Sequence, residues 1–189
     1  KEIKVLAPVL RKSHTGTVFL GRLEYSGKDL TRMKRYFNDF IQSSGLNDGI
    51  LKADILISAE RIDMIEMDLG VGGGIYYKKY ISALMNYDLN QAYINLILGQ
   101  EVQQAFKPVN TIIMDYVYNF SGRSIRLDMS LIENELDSFL GSCVILKNML
   151  NPERHGKFSS NAHFLFTVIH EKPEVSNDEI NRRINQLFV

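Results

Sequence analysis

The spacing of apolar and polar positions divides this chain into short blocks. Ile3 to Leu10 and Thr17 to Tyr25 are β-rich runs separated by the polar stretch Arg11-Lys12-Ser13-His14-Thr15-Gly16, and they predict two strands joined as a hairpin. From Lys28 to Ser43 the pattern changes to Leu30, Met33, Phe37, Phe40 and Ile41, the three-and-four spacing of a helix face, and Gly45 supplies a stop. Ile50 to Ser58 and Arg61 to Leu69 read as two more strands running into the glycine-rich break Gly70 to Gly74. Ile75 to Tyr87 is open between strand and helix. Asp88 with Gln91 has the form of a capping box and predicts a largely buried central helix from Leu89 to Phe106.

Past Pro108, Thr111 to Phe120 and Ser124 to Met129 flank Ser121-Gly122, and a two-residue turn there predicts a hairpin in which Asp115 faces Asp128. Ser130 with Glu133 suggests a second capping box, opening a helix with Ile132, Leu136, Phe139 and Leu140 inward and Gly141 at its end. Ser142 to Lys147 is a strand, Asn148 to Ser160 a long loop and Ala162 to His170 another strand. Ser176 with Glu179 caps a last helix bearing Ile180, Ile184, Leu187 and Phe188. Strand runs adjacent in sequence favour an α+β fold with an antiparallel or mixed sheet and four to five helices. The expectation is one domain over residues 1–189, the alternative being two related halves, 1–107 and 108–189.

Composition places the chain among folded proteins: 189 residues, 45% hydrophobic and 23% charged. One cysteine, Cys143, excludes an intramolecular disulfide framework and a multi-thiolate metal site, and its apolar run Cys143-Val144-Ile145-Leu146 reads as a small buried hydrophobe. Cysteine poverty favours a reducing, cytoplasmic setting, while a first residue of Lys1 leaves room for an exported or membrane-anchored form. Apolar stretches fall far short of the ~20 residues of a membrane span.

The neutral total conceals a polarity. Lys and Arg number nine against five acids in residues 1–50, four against six in each of 51–100 and 101–150, and five against five in 151–189. Arg11, Lys12 and His14 in the expected hairpin loop, with Lys28, Arg32 and Arg35 on one helix face, form a basic set suited to nucleic-acid phosphates or an anionic membrane surface. Against that set stand the neutral total and the acids Asp29 and Asp39 on the same helix.

No complete motif for chemistry is present. The Gly70 to Gly74 segment has Ile75 where a dinucleotide fingerprint needs glycine, and no Gly-Lys-Ser/Thr follows. The four histidines lack metal-binding spacing, so no cofactor and no metal are expected. Asp115 facing Asp128 would suit acid–base work, though Arg126 on that face could neutralise them. Asp63, Glu66 and Asp68 read as a solvated edge, since alternation separates Asp63 from the other two. The loop holding Arg154, His155 and Lys157 next to Ser159 and Ser160 is the best place for an unrecognised site.

The leading expectation is a non-enzymatic structural or protein-interaction subunit working with other protein subunits through its tyrosine-rich stretches, Tyr76-Tyr77-Lys78-Lys79-Tyr80 and Tyr116-Val117-Tyr118, and its basic start. The alternative is an enzyme or small-ligand-binding domain with a site around residues 151–160. A further alternative is nucleic-acid or anionic-surface binding through Arg11, Lys12, Lys28, Arg32 and Arg35.

Overall fold

The computed structural model describes residues 8–14, 20–46, 49–70, 75–102, 108–109, 111–120, 128–147 and 163–187. Among them are five helices and seven strands, every paired strand antiparallel, which makes the fold α+β. The chain divides into two compact units, residues 1–8 with 26–109 and residues 9–25 with 110–189.

The second unit is built on a five-stranded sheet. In chain order its strands are β1 (Val9–Ser13), β2 (Leu20–Tyr25), β5 (Ile113–Asn119), β6 (Val144–Lys147) and β7 (His163–His170), and they lie side by side as β1-β2-β5-β7-β6. At Asp115 both edges of β5 are therefore taken by strands distant in sequence: Arg22 lies opposite it on one side and Val168 on the other. This corrects the expected facing of Asp115 and Asp128, while residues 121–127 of the expected hairpin lie outside the described residues. Asp128 instead caps helix α4 (Met129–Leu140), its side chain accepting from the Ser130 and Leu131 amides, the place expected for Ser130.

The core of this unit forms where Val117, Phe166 and Val168 of the sheet meet Ile132, Leu136 and Leu140 of α4 and Ile180 and Ile184 of helix α5 (Asn177–Gln186). Burying each such side chain is worth about 1.5–3 kcal/mol, so this cluster is the main cohesive element of the unit. Arg183 adds a link between the helices, its guanidinium 4.1 Å above the Phe139 ring and 3.1 Å from Glu135. Ser176 caps α5 as its spacing predicts, accepting from the Glu179 amide at 3.1 Å. Tyr118, expected at a contact surface, is buried among Tyr116, Phe120 and Phe164, with its hydroxyl donating to the Leu20 carbonyl at 2.9 Å. Burial and the neighbouring Tyr116 push that phenol up to about 12. Cys143 is half-buried rather than enclosed, and burial followed by the Asp137 charge, the hydrogen bond to that carboxylate and the charge of Glu133 push its thiol up to about 11.

The first unit holds α1 (Leu30–Ser44), the two-stranded ribbon of β3 (Leu51–Ile57) and β4 (Ile62–Leu69), α2 (Ile75–Met85) and α3 (Leu89–Ile97). Met33 and Phe37 bury the predicted face of α1, and Gly45 ends it in the left-handed conformation at φ 72°. The open segment after Gly74 resolves as helix. Asp88 caps α3 as expected, but the helix ends at Ile97, with Gly99 at φ 67°, rather than reaching Phe106. Leu89 and Ala92 are buried, whereas Ile94, Ile97 and Leu98 are exposed, so the expected largely buried helix buries only one side.

Candidate functional site

Two clusters of charged side chains stand out, one in each unit. In the second unit Asp115 is the acceptor at the centre of a buried network. Alternation along β5 points its side chain toward Arg22 of β2 and His170 of β7, and the carboxylate is 0% exposed. The Arg22 guanidinium donates in a fork, Nε to Oδ1 and Nη2 to Oδ2, both at 2.8 Å. His170 Nε2 donates to Oδ2 at 2.7 Å, and Asn177 Nδ2 donates to Oδ1 at 3.0 Å. Arg22 also reaches the carbonyls of Val175 and Pro173.

The Lys172 amide donates to His170 Nδ1 at 3.1 Å, which leaves the proton on Nε2 for Asp115. With both ring nitrogens engaged, His170 has none free to take a proton from a substrate. The network ties β2, β5, β7 and the 171–176 turn together.

The cluster in the first unit is built differently. Lys52 on β3 lies opposite Asp68 on β4, and Asp54 lies opposite Glu66. The register shift between Asp54 and Ile55, with Ile65 the extra residue on β4, also returns Asp63 to this face opposite Leu56. Strict alternation would have separated Asp63 from Glu66 and Asp68. Lys52 Nζ lies 3.0 Å from Glu66, 3.5 Å from Asp68 and 3.9 Å from Asp54. Its side chain is 14% exposed, while Glu66 and Asp68 remain 56% and 51% exposed.

Burial by itself would lower the Lys52 ammonium. The Glu66 hydrogen bond, the charges of Asp54 and Glu66, and the Asp68 hydrogen bond outweigh burial and raise it above the ordinary 10.5. Three carboxylates around one ammonium leave a surplus of negative charge on a face open to water. Beyond it Gly70 sits at φ 113°, a conformation that strains any other residue, and an added Cβ would crowd the Tyr93 hydroxyl at 3.3 Å where β4 ends beside α3. Among the described residues no three His, Cys, Asp or Glu side chains are grouped to hold a metal ion by themselves.

The basic positions singled out by charge counting are dispersed over both units. Arg11 and Lys12 lie on the edge strand β1 rather than in a loop, and Lys12 is 2.6 Å from Glu24. Lys28 and Arg35 are exposed, whereas Arg32 donates to the Ser58 carbonyl at 2.8 Å and lies 3.6 Å from Asp29. Arg154, His155 and Lys157, with the rest of the 151–160 loop, lie outside the described residues. The Lys52 cluster escaped sequence reasoning, although two runs of alternating charges, Lys52 with Asp54 and Glu66 with Asp68, mark it.

No family model matches this chain, and no curated protein matches it. In fold it is similar to the crystal structure of the phosphoribosylaminoimidazole carboxylase ATPase subunit from Aquifex aeolicus, at 11% identity and a TM-score of 0.54. The likeness covers 95% of this chain and 49% of that one, so this chain spans about half its length. No helix among the described residues is long and apolar enough to cross a membrane.

Proposed function

We propose that this chain supplies a magnesium-nucleotide site to an enzyme that consumes a nucleoside triphosphate, with Glu66 and Asp68 on the β3–β4 face as the residues that hold the cation. One observation carries the reading. The half-exposed carboxylates around Lys52 keep a surplus of negative charge, on a fold similar to half of an ATPase subunit. Magnesium keeps much of its water shell and is held through one or two carboxylates plus substrate phosphates. Two water-facing acids therefore suit it without a closed protein cage. In this reading Lys52 fixes the carboxylates, and the bound ion would neutralise phosphate charge.

The test is calorimetric titration of the full chain with ATP, with magnesium and with EDTA. Binding is expected only with magnesium and should weaken about tenfold or more in Glu66→Gln with Asp68→Asn, at unchanged circular dichroism, as loss of charge-assisted contacts implies. No binding, or binding indifferent to both magnesium and the variant, would reject the reading.

A second reading, a structural or protein-interaction subunit, draws on the exposed Ile94 and Ile97, three residues apart on one face of α3, and the exposed Leu98 at its C-cap. It predicts self-association by light scattering that Ile97→Lys abolishes. A chain that is monomeric before and after the substitution speaks against it. Anion binding through Arg11, Lys12, Lys28, Arg32, Arg35, Arg154, His155 and Lys157 is the weaker form, since Lys12 and Arg32 already meet protein acceptors.

A further inference from the structure

Strand β5 is paired along its whole length on the β7 side, but on the β2 side the pairing runs only from Glu24 opposite Ile113 to Arg22 opposite Asp115. Beyond that point the two strands part. Gly21 marks the fork: an added Cβ there would lie 2.7 Å from the His14 nitrogen and 2.9 Å from Asn177 Oδ1, so only glycine leaves room for what enters. Asn177 Nδ2 occupies the fork, 2.8 Å from the Gly21 carbonyl and 3.1 Å from that of Tyr116, a partner strand's place.

The substitution continues along α5. Asn181 Oδ1 accepts from the Tyr118 amide at 2.8 Å, and its Nδ2 donates to the Tyr116 carbonyl at 3.0 Å. Asn185 Oδ1 accepts from the Phe120 amide at 3.3 Å, and its Nδ2 donates to the Tyr118 carbonyl at 2.8 Å. Each primary amide offers one acceptor and two donor hydrogens, the same pair of functions a peptide group presents to a neighbouring strand. The spacing permits it, because four residues of helix and two residues of strand both advance about 6–7 Å. Asn181 is 2% exposed and its bond from the Tyr118 amide is buried, while the Asn185 bonds are part-buried.

Without α5, the Tyr118 and Phe120 amides and the Tyr116 and Tyr118 carbonyls would lose these partners on an uncharged run, Tyr-Val-Tyr-Asn-Phe, rich in strand-forming residues. Edges of that composition pair with copies of themselves unless they are covered. We infer that α5 is a surrogate strand, its asparagine ladder closing the outer part of the β5 edge against strand addition by a second copy of this chain.

Hydrogen exchange on the wild-type full chain gives the first test. The Tyr118 and Phe120 amides are expected to exchange at the rate of the α5 backbone amides and faster than Val117, which pairs with Phe166. Protection of Tyr118 and Phe120 that outlasts α5 and matches Val117 would overturn the inference. In the second test, Asn181→Leu with Asn185→Leu should give a two-chain species that grows with concentration. Its monomer should exchange the Tyr118 amide about ten- to a hundredfold faster, the loss expected for one buried hydrogen bond. A folded variant that stays monomeric at every concentration, or keeps Tyr118 protected, also overturns it. Should the variant fail to fold, the wild-type exchange pattern decides alone.

Discussion

Asp115 and Glu66 are both strand carboxylates within 3.0 Å of a cationic side chain, yet they do opposite things. Asp115 has no exposed surface and is surrounded by Arg22, His170 and Asn177. Glu66 keeps more than half its surface in water and shares a single ammonium with two other acids. A carboxylate whose oxygens are filled by fixed donors in a dry setting belongs to the fold. One that keeps water and excess negative charge is, on the proposed reading, the one that meets a ligand. Solvation, more than the presence of a partner, separates the two roles.

The comparison breaks most visibly on removal of each acid. Asp115→Ala leaves the Arg22 guanidinium buried without its carboxylate, and urea unfolding should show a loss of about 3–5 kcal/mol. Glu66→Gln alters an exposed pair and should cost no more than about 1 kcal/mol in the same assay. Equal losses would erase the distinction.

Titration of Lys52 sharpens it by a smaller amount. The folded value lies above the ordinary 10.5, so the stabilisation is fully present below that pH and is lost as pH climbs through the raised value. The melting temperature of wild type minus that of Lys52→Met should therefore be level at neutral pH and shrink above about pH 10.5. A difference unchanged by alkali would detach Lys52 from the three carboxylates.

Much of the architecture is readable from local pattern. The faces of α1 and α4, the β3–β4 ribbon and the caps at Asp88 and Ser176 follow from spacing and from residue types that act within one turn. The neighbours of β5 do not. Its alternation is satisfied equally by a hairpin with 124–129 and by strands from residues 20–25 and 163–170, and only tertiary packing chooses between them. Arg22, His170 and Asn177 therefore could not be assigned to Asp115. The Lys52 cluster was hidden by a bulge, because alternation counts residues and the extra Ile65 changes the count. The spacing Asn177-Asn181-Asn185 was visible, but polar residues four apart on an amphipathic helix ordinarily read as its water face.

That spacing also limits itself. A helix and a strand laid side by side are two rulers with unequal divisions, ~6.0 Å for four helical residues against ~6.8 Å for two antiparallel strand residues, so each rung falls about 0.8 Å further behind. The two rungs absorb the mismatch unevenly: from Asn181 to Asn185 the acceptor contact lengthens from 2.8 to 3.3 Å while the donor contact shortens from 3.0 to 2.8 Å. A fourth rung would fall out of step, so lengthening α5 with more asparagines could not lengthen the seal. Like a vernier, the two elements coincide over one short interval, and that interval fixes how much of β5 a helix can stand in for.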